Sequence, residues 1–517
     1  MRTNRLVLSL LLTAPLCLNV AAQELHDKAW SVLNEGRALW MGSDNAAGLS
    51  FDAPAEFNLL DADFSYERGY YRLKQSPKRE GQLTFDTQGL KKIGKIIAWG
   101  RFSYNNSSEN GASFNTLLGN PYDERFLYTA ADSIEGQWKK QSYLLQFKAA
   151  LPLGDRVSTG LHVIYNDRIA AGQIDPRAES YHYSVSVKPA LAWTTDIGTI
   201  GLNGIYTNTF ERSTPGISNS QEIQKVFLLR GLGNWVGDQV GGSGLSTMYF
   251  RCNSWGGGLQ YSWSQGWKLL ADFGYLTDKT TITESATQPK PHGNTYRQSV
   301  SGSVSAIFGS SVQHFLRLSA KGVKTKGTEH TVLWDTGSGQ WITAMSIDQV
   351  MLRTLDLALD WNAYISDGET YSWHWGAGAA WEGKDDTYAL PHSVLRYGNA
   401  SLSAIGERRF RFSNSSLTMA VRLRVTKNLY GEYSYQGHRS ATAPVRDLYA
   451  HNLSILSADR LQAGLETEYA FGVAKGINLA FFAQGSYLTA SCDWVYEASG
   501  TARRQRGNAL GGVKLYF

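Results

Sequence analysis

Hydrophobic and polar residues alternate with a period of two along most of the chain. The alternation is clearest in three runs: "SYHYSVSVKPALAW" (180–193), "YSWHWGAGAAW" (371–381) and "LTMAVRLRV" (417–425). Because successive side chains of a β-strand point to opposite faces, each run predicts a strand with one apolar and one polar face. The outer, apolar faces predicted in this way include Val185, Leu191, Tyr371, Trp375 and Met419.

Short turns and long polar connections alternate between these runs. Turns such as "TTDIG" (194–198) and "GVAKG" (472–476) contrast with the long stretches 209–250, 277–293, 324–345 and 383–398. Outer-membrane barrels have short periplasmic turns and long external loops. The pattern therefore predicts an all-β fold, a transmembrane antiparallel β-barrel of about 16 strands, with a range of 14–18. The alternation is least clear in 58–71, 81–85 and 94–104.

The first residues have the features of an export signal. "MRTNRLVLSLLLTAPLCLNVAAQ" begins with Arg2 and Arg5, continues with a short apolar run and ends in small residues before Gln23. This order is typical of a cleaved signal peptide, here residues 1–22. No later segment approaches 18 consecutive apolar residues, the length typical of a membrane helix. We therefore expect export through the inner membrane to the outer membrane of a Gram-negative cell, with a barrel domain over residues 57–517.

The chain ends in "GNALGGVKLYF" (507–517), which places Val513, Leu515 and Phe517 on one face of a strand. A chain end exposed to water is usually polar and frayed. This end resembles the C-terminal assembly signal of outer-membrane barrels, a terminal Phe preceded by apolar residues at alternate positions. The resemblance implies that the barrel-assembly machinery and outer-membrane lipids are partners of the chain.

Composition and charge exclude several other classes. Aromatic residues make up 12% of the chain and glycines number 52, at a mean hydropathy of −0.30, which suits alternating strands better than membrane helices. Loss of Arg2 and Arg5 lowers the net charge from +5 to +3, too weak a bias to indicate a nucleic-acid partner. Cys252 and Cys492 show no metal-type spacing. We expect no metal and no cofactor.

Residues 23–56 form a separate N-terminal segment that is periplasmic or acts as a plug. An amphipathic helix is predicted over 24–40, and "MGSDNAAGLSF" follows it. Asn45, Ala47, Gly48 and Leu49 resemble the Asn-Pro-Ala-Gly-Leu motif of FadL-type transport barrels, with Ala46 in place of the proline. The resemblance implies a plug inside the barrel, and a simple helix-to-strand turn is the alternative. A plug would bury its large apolar side chains against small inner-face residues: Trp30, Leu33 and Trp40 against Gly376, Gly378 and Ala380.

The predicted inner faces carry charges of both signs. The candidate lumen residues are Lys148, His182, Lys188, Asp356, Asp360, Arg422, Arg424, Glu466 and Glu468, and the same alternation turns Glu432 inward. Such charges line the constriction of an open porin, and they also hold the plug of a closed barrel. The alternation does not choose between the two.

Three functions are compatible with such a barrel. The first is passive or gated transport of a small or amphipathic solute. The second is a surface role in which the loops dock a lipoprotein or a secretion partner. The third is an outer-membrane hydrolase, which is disfavoured because the chain contains neither G-x-S-x-G nor H-E-x-x-H. We therefore expect a protein that is not an enzyme.

Overall fold

The structure is a computed structural model that describes residues 25–219, 222–242, 244–492 and 502–517. The predicted signal peptide, residues 1–22, lies outside these residues. The strands are β1 Phe57–Gly69, β2 Arg79–Ile93, β3 Ile96–Ala112, β4 Thr129–Ala131, β5 Gly136–Pro152, β6 Val157–Gly172, β7 Arg177–Thr195, β8 Gly198–Gly216, β9 Gln224–Gly231, β10 Asn234–Val240, β11 Met248–Gln265, β12 Trp267–Glu284, β13 Lys290–Phe308, β14 Val312–Asp335, β15 Gln340–Asp367, β16 Thr370–Tyr388, β17 Ser393–Arg411, β18 Ser415–Tyr435, β19 Asp459–Ala474, β20 Ile477–Cys492 and β21 Ala502–Tyr516.

Eighteen of the described strands, all except β4, β9 and β10, form one closed antiparallel barrel. The last strand closes on the first: Leu515 pairs with Leu60, and the Asn58 amide donates to the Phe517 carbonyl at 2.7 Å. Closure leaves no unpaired sheet edge, which a strand in a bilayer requires. The predicted all-β antiparallel barrel is confirmed, but the strand number of 16 is wrong by two. The weakly alternating residues 58–71, 81–85 and 94–104 belong to three full strands, β1 to β3.

Most of the predicted long connections are strand instead. Residues 277–293, 324–345 and 383–398 lie largely in hairpins, and β14 and β15 are joined by only four residues, 336–339. Strand pairing continues past the alternating region because backbone hydrogen bonds do not depend on which side chains are apolar. In 209–250, β8 continues to Gly216, and β9 and β10 form a separate three-stranded sheet with β4.

The outer surface of the barrel is apolar and exposed. Leu191 on β7 and Leu402 on β17 have 52% and 68% of their surface accessible, and neighbouring strands carry many such residues at alternate positions. Large contiguous apolar surface of this kind is stable against lipid and not against water. On β7, and on β18 before Leu429, the outer and inner faces are those that the alternation predicts.

Two β-bulges reverse the predicted faces locally. Ser372 is an extra residue on β16 at the register shift, and Tyr371 consequently points into the barrel, where it is buried and donates to Glu407. Leu429 is an extra residue on β18, and Glu432 therefore faces outward, 4.0 Å from Arg396. One inserted residue exchanges the two faces of a strand, which no period-two pattern can foresee. The inward assignment of Glu432 and the outward assignment of Tyr371 were wrong.

Helical segments are few. The N-terminal segment contains α1 Lys28–Gly36 and the 3₁₀ turns Leu39–Gly42 and Ala46–Ser50. The connection between β18 and β19 contains a π-helical turn, Pro444–Ala450, followed by α2 His451–Leu456. Among the described residues, every helix is too short or too polar to cross a bilayer.

The two faces of β13 offer a matched test of the register. Val300 is 44% exposed on the outer face, and its neighbour Ser301 lines an internal cavity. We expect Val300→Arg to lower the free energy of unfolding in lipid vesicles by about 2–4 kcal/mol, because it buries a charge at mid-bilayer. Ser301→Arg should cost far less, since its side chain meets a polar cavity. Equal losses in chemical-denaturation curves would contradict this register.

Candidate functional site

The N-terminal segment, residues 25–56, lies inside the barrel at the end where the short turns are, and we call it the plug. Asp27 caps the start of helix α1, and its side chain accepts a hydrogen bond from the Trp30 amide at 3.1 Å. Such a cap satisfies a backbone donor that has no partner within the helix. Trp30 then packs against Phe57, Leu90 and Trp99 of β1 to β3, with its side chain almost fully buried.

A buried ion pair holds the start of the plug. The Asp27 carboxylate accepts from Arg409 Nε at 2.7 Å and from the Ser416 hydroxyl at 2.6 Å. The Asp27 and Arg409 side chains are only 1% and 2% exposed. Because both charges are desolvated, removing Asp27 would leave the Arg409 guanidinium with only the more distant carboxylate of Asp367, at 3.9 Å.

Lys28 extends this attachment to one further strand, β19. Its ammonium group lies 2.7 Å from Glu407 and 2.6 Å from Glu466, and its backbone amide donates to Glu468 at 3.2 Å. Burial alone would lower the pKa of Lys28, but Glu407 and Glu466 outweigh it and raise that pKa. Two of the predicted lumen residues, Glu466 and Glu468, therefore contact the plug, and Arg422 supports Glu466 at 2.8 Å.

The Asn45 motif holds the other half of the plug. The Asn45 side-chain amide donates to Gln260 at 2.9 Å and to the Leu191 carbonyl at 3.0 Å, while its oxygen accepts from the Ala47 amide. Ala47, Gly48 and Leu49 are buried, and a side chain on Gly48 would collide with the Trp40 ring. The motif thus acts as a compact turn docked on the wall.

Two predicted lumen lysines fix the same part of the plug. Lys148 donates to the carbonyls of Met41 and Ser43 at 2.7 and 2.8 Å, and Lys188 lies 2.7 Å from Asp44. Asp44 is half-exposed; its desolvation would raise the carboxyl pKa, but His162 and Lys188 together lower it well below its ordinary value. Because docking lowers the pKa of the Asp44 carboxyl, the ionised carboxylate stabilises docking fully at a pH above its ordinary pKa. This contribution is lost as the pH falls through the lowered pKa.

Glycines of the barrel wall leave room for the plug to pack closely, but they are not the glycines that the sequence predicted. A side chain on Gly160 would collide with the backbone of Ala46 and Ala47, and one on Gly201 would meet the Trp40 ring. A side chain on Gly376 or Gly378 would meet wall residues such as Asn362 and Ser403, and the two glycines line a cavity. Ala380 pairs with Ala358 of β15. Leu33 packs against Tyr364 and Tyr371. Trp30, Leu33 and Trp40 are buried as predicted, but the small residues predicted to contact them were wrong. Contacts between the plug and the wall join residues far apart in the sequence, and neither local sequence indicates its partner.

The buried ion pair supports a direct test of plug docking. We expect Asp27→Ala to weaken docking by about 3 kcal/mol, because the buried Arg409 guanidinium loses its closest carboxylate and keeps only Asp367, at 3.9 Å. Hydrogen exchange of the backbone amides of 28–36 should accelerate accordingly. Adding Arg409→Met removes the stranded charge and should recover part of the loss. Val32→Ala, on the exposed face of α1, is the control, and unchanged exchange in Asp27→Ala would contradict this assignment.

Two cavities lie on the inner wall beside the plug, and we call them together the chamber. The first, of about 530 Å³, is bordered by Asp44 of the plug and lined by β8 and β11 to β15. The second, of about 580 Å³, is bordered by Lys28 and Val32 and lined by β15 to β20. Their walls are rich in hydroxyl and amide groups: Ser299, Ser301, Ser303, Ser319, Ser403, Gln462 and Gln484.

Charged side chains of both signs line the chamber. Asp356 lines the first cavity, and Asp360, Arg422 and Arg424 line the second. Across the described part of the chain, six charged chamber residues make no ion pair within 4.0 Å: Asp272, Arg317, Lys321, Asp356, Asp360 and Arg424. A wall of hydroxyls, amides and unpaired charges can hydrogen-bond a polar solute that replaces water there.

Long connections cover the opposite end of the barrel, and we call the described parts of 113–135, 217–247 and 436–458 the cap. Leu117, Phe126 and Leu228 of the cap form one apolar cluster with Met248 and Phe250 of the wall. A second cluster joins the cap to β15 to β18 through Leu232, Val445 and Leu453. The chamber therefore lies between the plug and the cap. A third cavity, of about 680 Å³, lies beside the cap, lined by Tyr71, Tyr122, Arg168 and Arg506.

The inward histidines have structural partners. His182 lies 3.1 Å from Glu211, whose carboxylate also accepts from the cap amide of Gly119. His374 contacts Asn362 at 2.9 Å, and His162 lies 3.5 Å from Asp44. No group of three or more His, Cys, Asp or Glu side chains suited to a metal ion occurs in the described residues. Cys252 and Cys492 are buried in different apolar clusters near the cap.

Sequence reasoning missed the strongest attachments of the plug. Asp27, Glu407 and Arg409 were not among the candidates, although the alternation in "SLSAIGERRF" (401–410) does place Glu407 and Arg409 on one face. The cap was also missed, because its apolar residues follow no regular period. The signal in 401–410 identifies an inward charge but not its partner almost 400 residues away.

These features define a class: a closed β-barrel with the outer surface of a membrane protein and a polar lumen, filled by a plug at one end and a cap at the other. The chain belongs to a protein family of unknown function, DUF6850, whose model matches residues 46–517. The matched range includes the Ala-Gly-Leu part of the plug motif and all barrel strands. No curated protein matches the chain.

Several solved structures are similar in outline. The ferric preacinetobactin receptor BauA of Acinetobacter baumannii shares 10% identity, over 90% of this chain and 80% of that one, with a TM-score of 0.40. The outer membrane transporter YddB of Escherichia coli shares 8% identity, over 88% of this chain and 81% of that one, with a TM-score of 0.39. The ferric yersiniabactin uptake receptor FyuA of Yersinia pestis shares 8% identity, over 89% of this chain and 80% of that one, with a TM-score of 0.39. At these TM-scores the similarity carries no argument about function. The FadL-type resemblance of residues 45–49 gains no support from these three structures.

Proposed function

We propose that the protein is an outer-membrane barrel that transports a small polar solute through a gated lumen. The observation that carries the proposal is the chamber, a polar space with unpaired charges enclosed between the plug and the cap. A barrel of 18 strands is wide enough for an aqueous channel once its contents move. The polar wall favours hydrophilic solutes over the amphipathic solutes that the sequence left open.

The plug is suited to act as the gate because much of its attachment to the wall is polar. Ion pairs and hydrogen bonds at Asp27, Lys28, Asp44 and Asn45 hold it to the wall. Water can replace polar contacts when the plug leaves, at a far lower cost than exposing an apolar core of the same size. We place the short-turn end, where the plug lies, on the periplasmic side.

Solute flux into liposomes tests this proposal. We expect the intact protein to admit arabinose and glutamate slowly, and the Asp27→Ala protein to admit both much faster, because plug docking is weakened. Arg424→Glu in the Asp27→Ala background should shift the preference from glutamate toward cationic lysine. Flux at the level of protein-free liposomes for the intact and the Asp27→Ala protein alike would contradict a transport function.

A docking role is the second candidate, and the β14–β15 hairpin favours it. These strands are 24 and 28 residues long, whereas the neighbouring strands β13 and β16 have 19 each. The hairpin beyond the rim exposes Leu333, Ile342 and Met345. A lipoprotein or secretion component that covers these side chains would fit this role. Co-purification of a partner lost on Ile342→Ser and Met345→Ser, with flux unchanged, would favour docking.

We propose no enzymatic function. A Ser-His contact does occur on the exposed hairpin, where Ser346 Oγ lies 2.9 Å from His330 Nδ1. The Asn294 side-chain amide nitrogen lies 3.0 Å from His330 Nε2 and donates to it. Nδ1 then carries the proton and donates to Ser346, which is the reverse of the arrangement that activates a serine.

A further inference from the structure

A band of aromatic rings and cations crosses the outer face of β7, β8 and β11 to β14, and we call it the belt. Tyr181 on β7 stands opposite Arg212 on β8, which stands opposite Tyr249 on β11. Further along, Tyr296 on β13 lies between Lys279 and Lys326. The outer faces of neighbouring strands thus carry rings and cations at one height.

Each cation of the belt lies over a ring. The Arg212 guanidinium is 4.9 Å from the centre of the Tyr181 ring, and that of Arg251 is 5.2 Å from Tyr249. The ammonium groups of Lys279 and Lys326 are 6.0 and 5.7 Å from Tyr296. Cation–π contacts at this range hold the positive groups in place while their remaining N–H donors stay available.

Few carboxylates neutralise the belt. Lys326 pairs with Asp348 at 2.9 Å, whereas Arg212, Arg251 and Lys279 make no ion pair among the described residues. Glu179 shares this face further toward the rim, but it does not approach Arg212 within ion-pair distance. On the far side of the barrel, by contrast, Arg396 lies between Asp385 and Glu432 at 3.5 and 4.0 Å. The positive charge of Arg212, Arg251 and Lys279 is therefore not neutralised within the belt.

The belt lies where the apolar surface ends. On β7 the outer face runs from Tyr181 at the belt to Trp193 beside a short turn. These 12 steps, at about 3.3 Å each and a strand tilt of about 45°, span roughly 28 Å, close to the height of the apolar band of a membrane barrel. The cations therefore lie at the level of lipid headgroups in the leaflet that the cap faces.

We infer that the belt binds the phosphate groups of anionic lipids in the external leaflet. The inference rests on the membrane location in the proposed function. Arginine forks match phosphate oxygens bidentately, and the rings beneath them fit the headgroup–acyl boundary. Lipid binding on this side would also order the external ends of β7 to β14, where the cap packs against the inner wall.

Lipid A binding in phosphatidylcholine nanodiscs tests the inference. The test compares the intact protein with a triple variant, Arg212→Gln, Arg251→Gln and Lys279→Gln, and with Arg396→Gln as the matched control. Each basic residue near an anionic surface contributes about fivefold to binding, so the triple variant should bind diphosphorylated lipid A roughly a hundredfold more weakly. Arg396→Gln should bind it as the intact protein does.

Three results would overturn the inference. They are unchanged lipid A binding in the triple variant, an equal loss in Arg396→Gln, and equal affinity for inorganic phosphate, which would make the belt a small-anion site. Heat-modifiable gel mobility verifies that each variant is folded. If the intact protein does not insert into the nanodiscs, the proposed membrane location is wrong. Insertion without lipid A binding by the belt would contradict only the present inference, so the two outcomes are distinguishable.

Discussion

A chain without the plug should expose the chamber to solvent. We expect Ser403→Cys, which lies on the chamber wall, to react with a hydrophilic maleimide only slowly in the intact protein. Deleting residues 25–56 should let Ser403→Cys react about as fast as a solvent-exposed cysteine. The reason is that the deleted segment lies between the chamber wall and the short-turn end of the barrel. The cap stays in place in both proteins, and the change therefore reports on the plug alone.

The labelling experiment has internal controls. Cys252 and Cys492 are replaced by Ala in all chains to remove background. A cysteine at Ser338, in the exposed turn between β14 and β15, should label equally with and without the plug. Heat-modifiable mobility shows whether the shortened barrel is folded. If Ser403→Cys labels equally fast in both folded proteins, the plug does not restrict access to the chamber.

Removing the side chain of Phe517 should sharply lower the amount of assembled barrel. The Phe517 backbone makes two hydrogen bonds to Asn58 at the closure, and its ring is 45% exposed on the outer face. Phe517→Asp keeps the backbone but places a charge beside lipid and removes the terminal aromatic. Deletion of Phe517 also removes both closing hydrogen bonds, so it should be at least as severe.

Heat-modifiable protein in membrane fractions measures this effect. Phe517→Tyr retains an aromatic ring and should assemble normally. Export itself should be unchanged, so unassembled protein should accumulate outside the inner membrane. Normal levels of folded barrel in Phe517→Asp would show that the terminal aromatic is dispensable, and the resemblance to an assembly signal would then be without consequence.

The alternation of side chains revealed the barrel because lipid outside and water inside impose opposite demands on neighbouring residues. It was clear on β7 and β18, where Leu191 and Met419 face outward. It was weak on β1 and β2, where apolar and polar side chains do not alternate strictly, as in Leu59, Leu60 and Asp61. The bulges at Ser372 and Leu429 had no signature, because one extra residue leaves composition unchanged.

The site was less visible than the fold for a physical reason. Trp30, Leu33 and Trp40 indicated a segment that must be buried, but their partners are chosen by three-dimensional fit around a closed barrel. Gly160 and Gly201 differ from other glycines only in what lies opposite them. Likewise, Arg409 was one of many inward charges until the structure placed Asp27 beside it.

A reversible lock on the plug tests the central claim, that plug movement opens the lumen, most directly. The hydroxyls of Ser50 on the plug and Ser158 on β6 are 2.6 Å apart, so cysteines at both positions are expected to form a disulfide. In the Asp27→Ala background, oxidation should abolish arabinose flux into liposomes and dithiothreitol should restore it, while either cysteine alone should have no effect. Flux that is the same in the oxidised and the reduced protein would contradict the account.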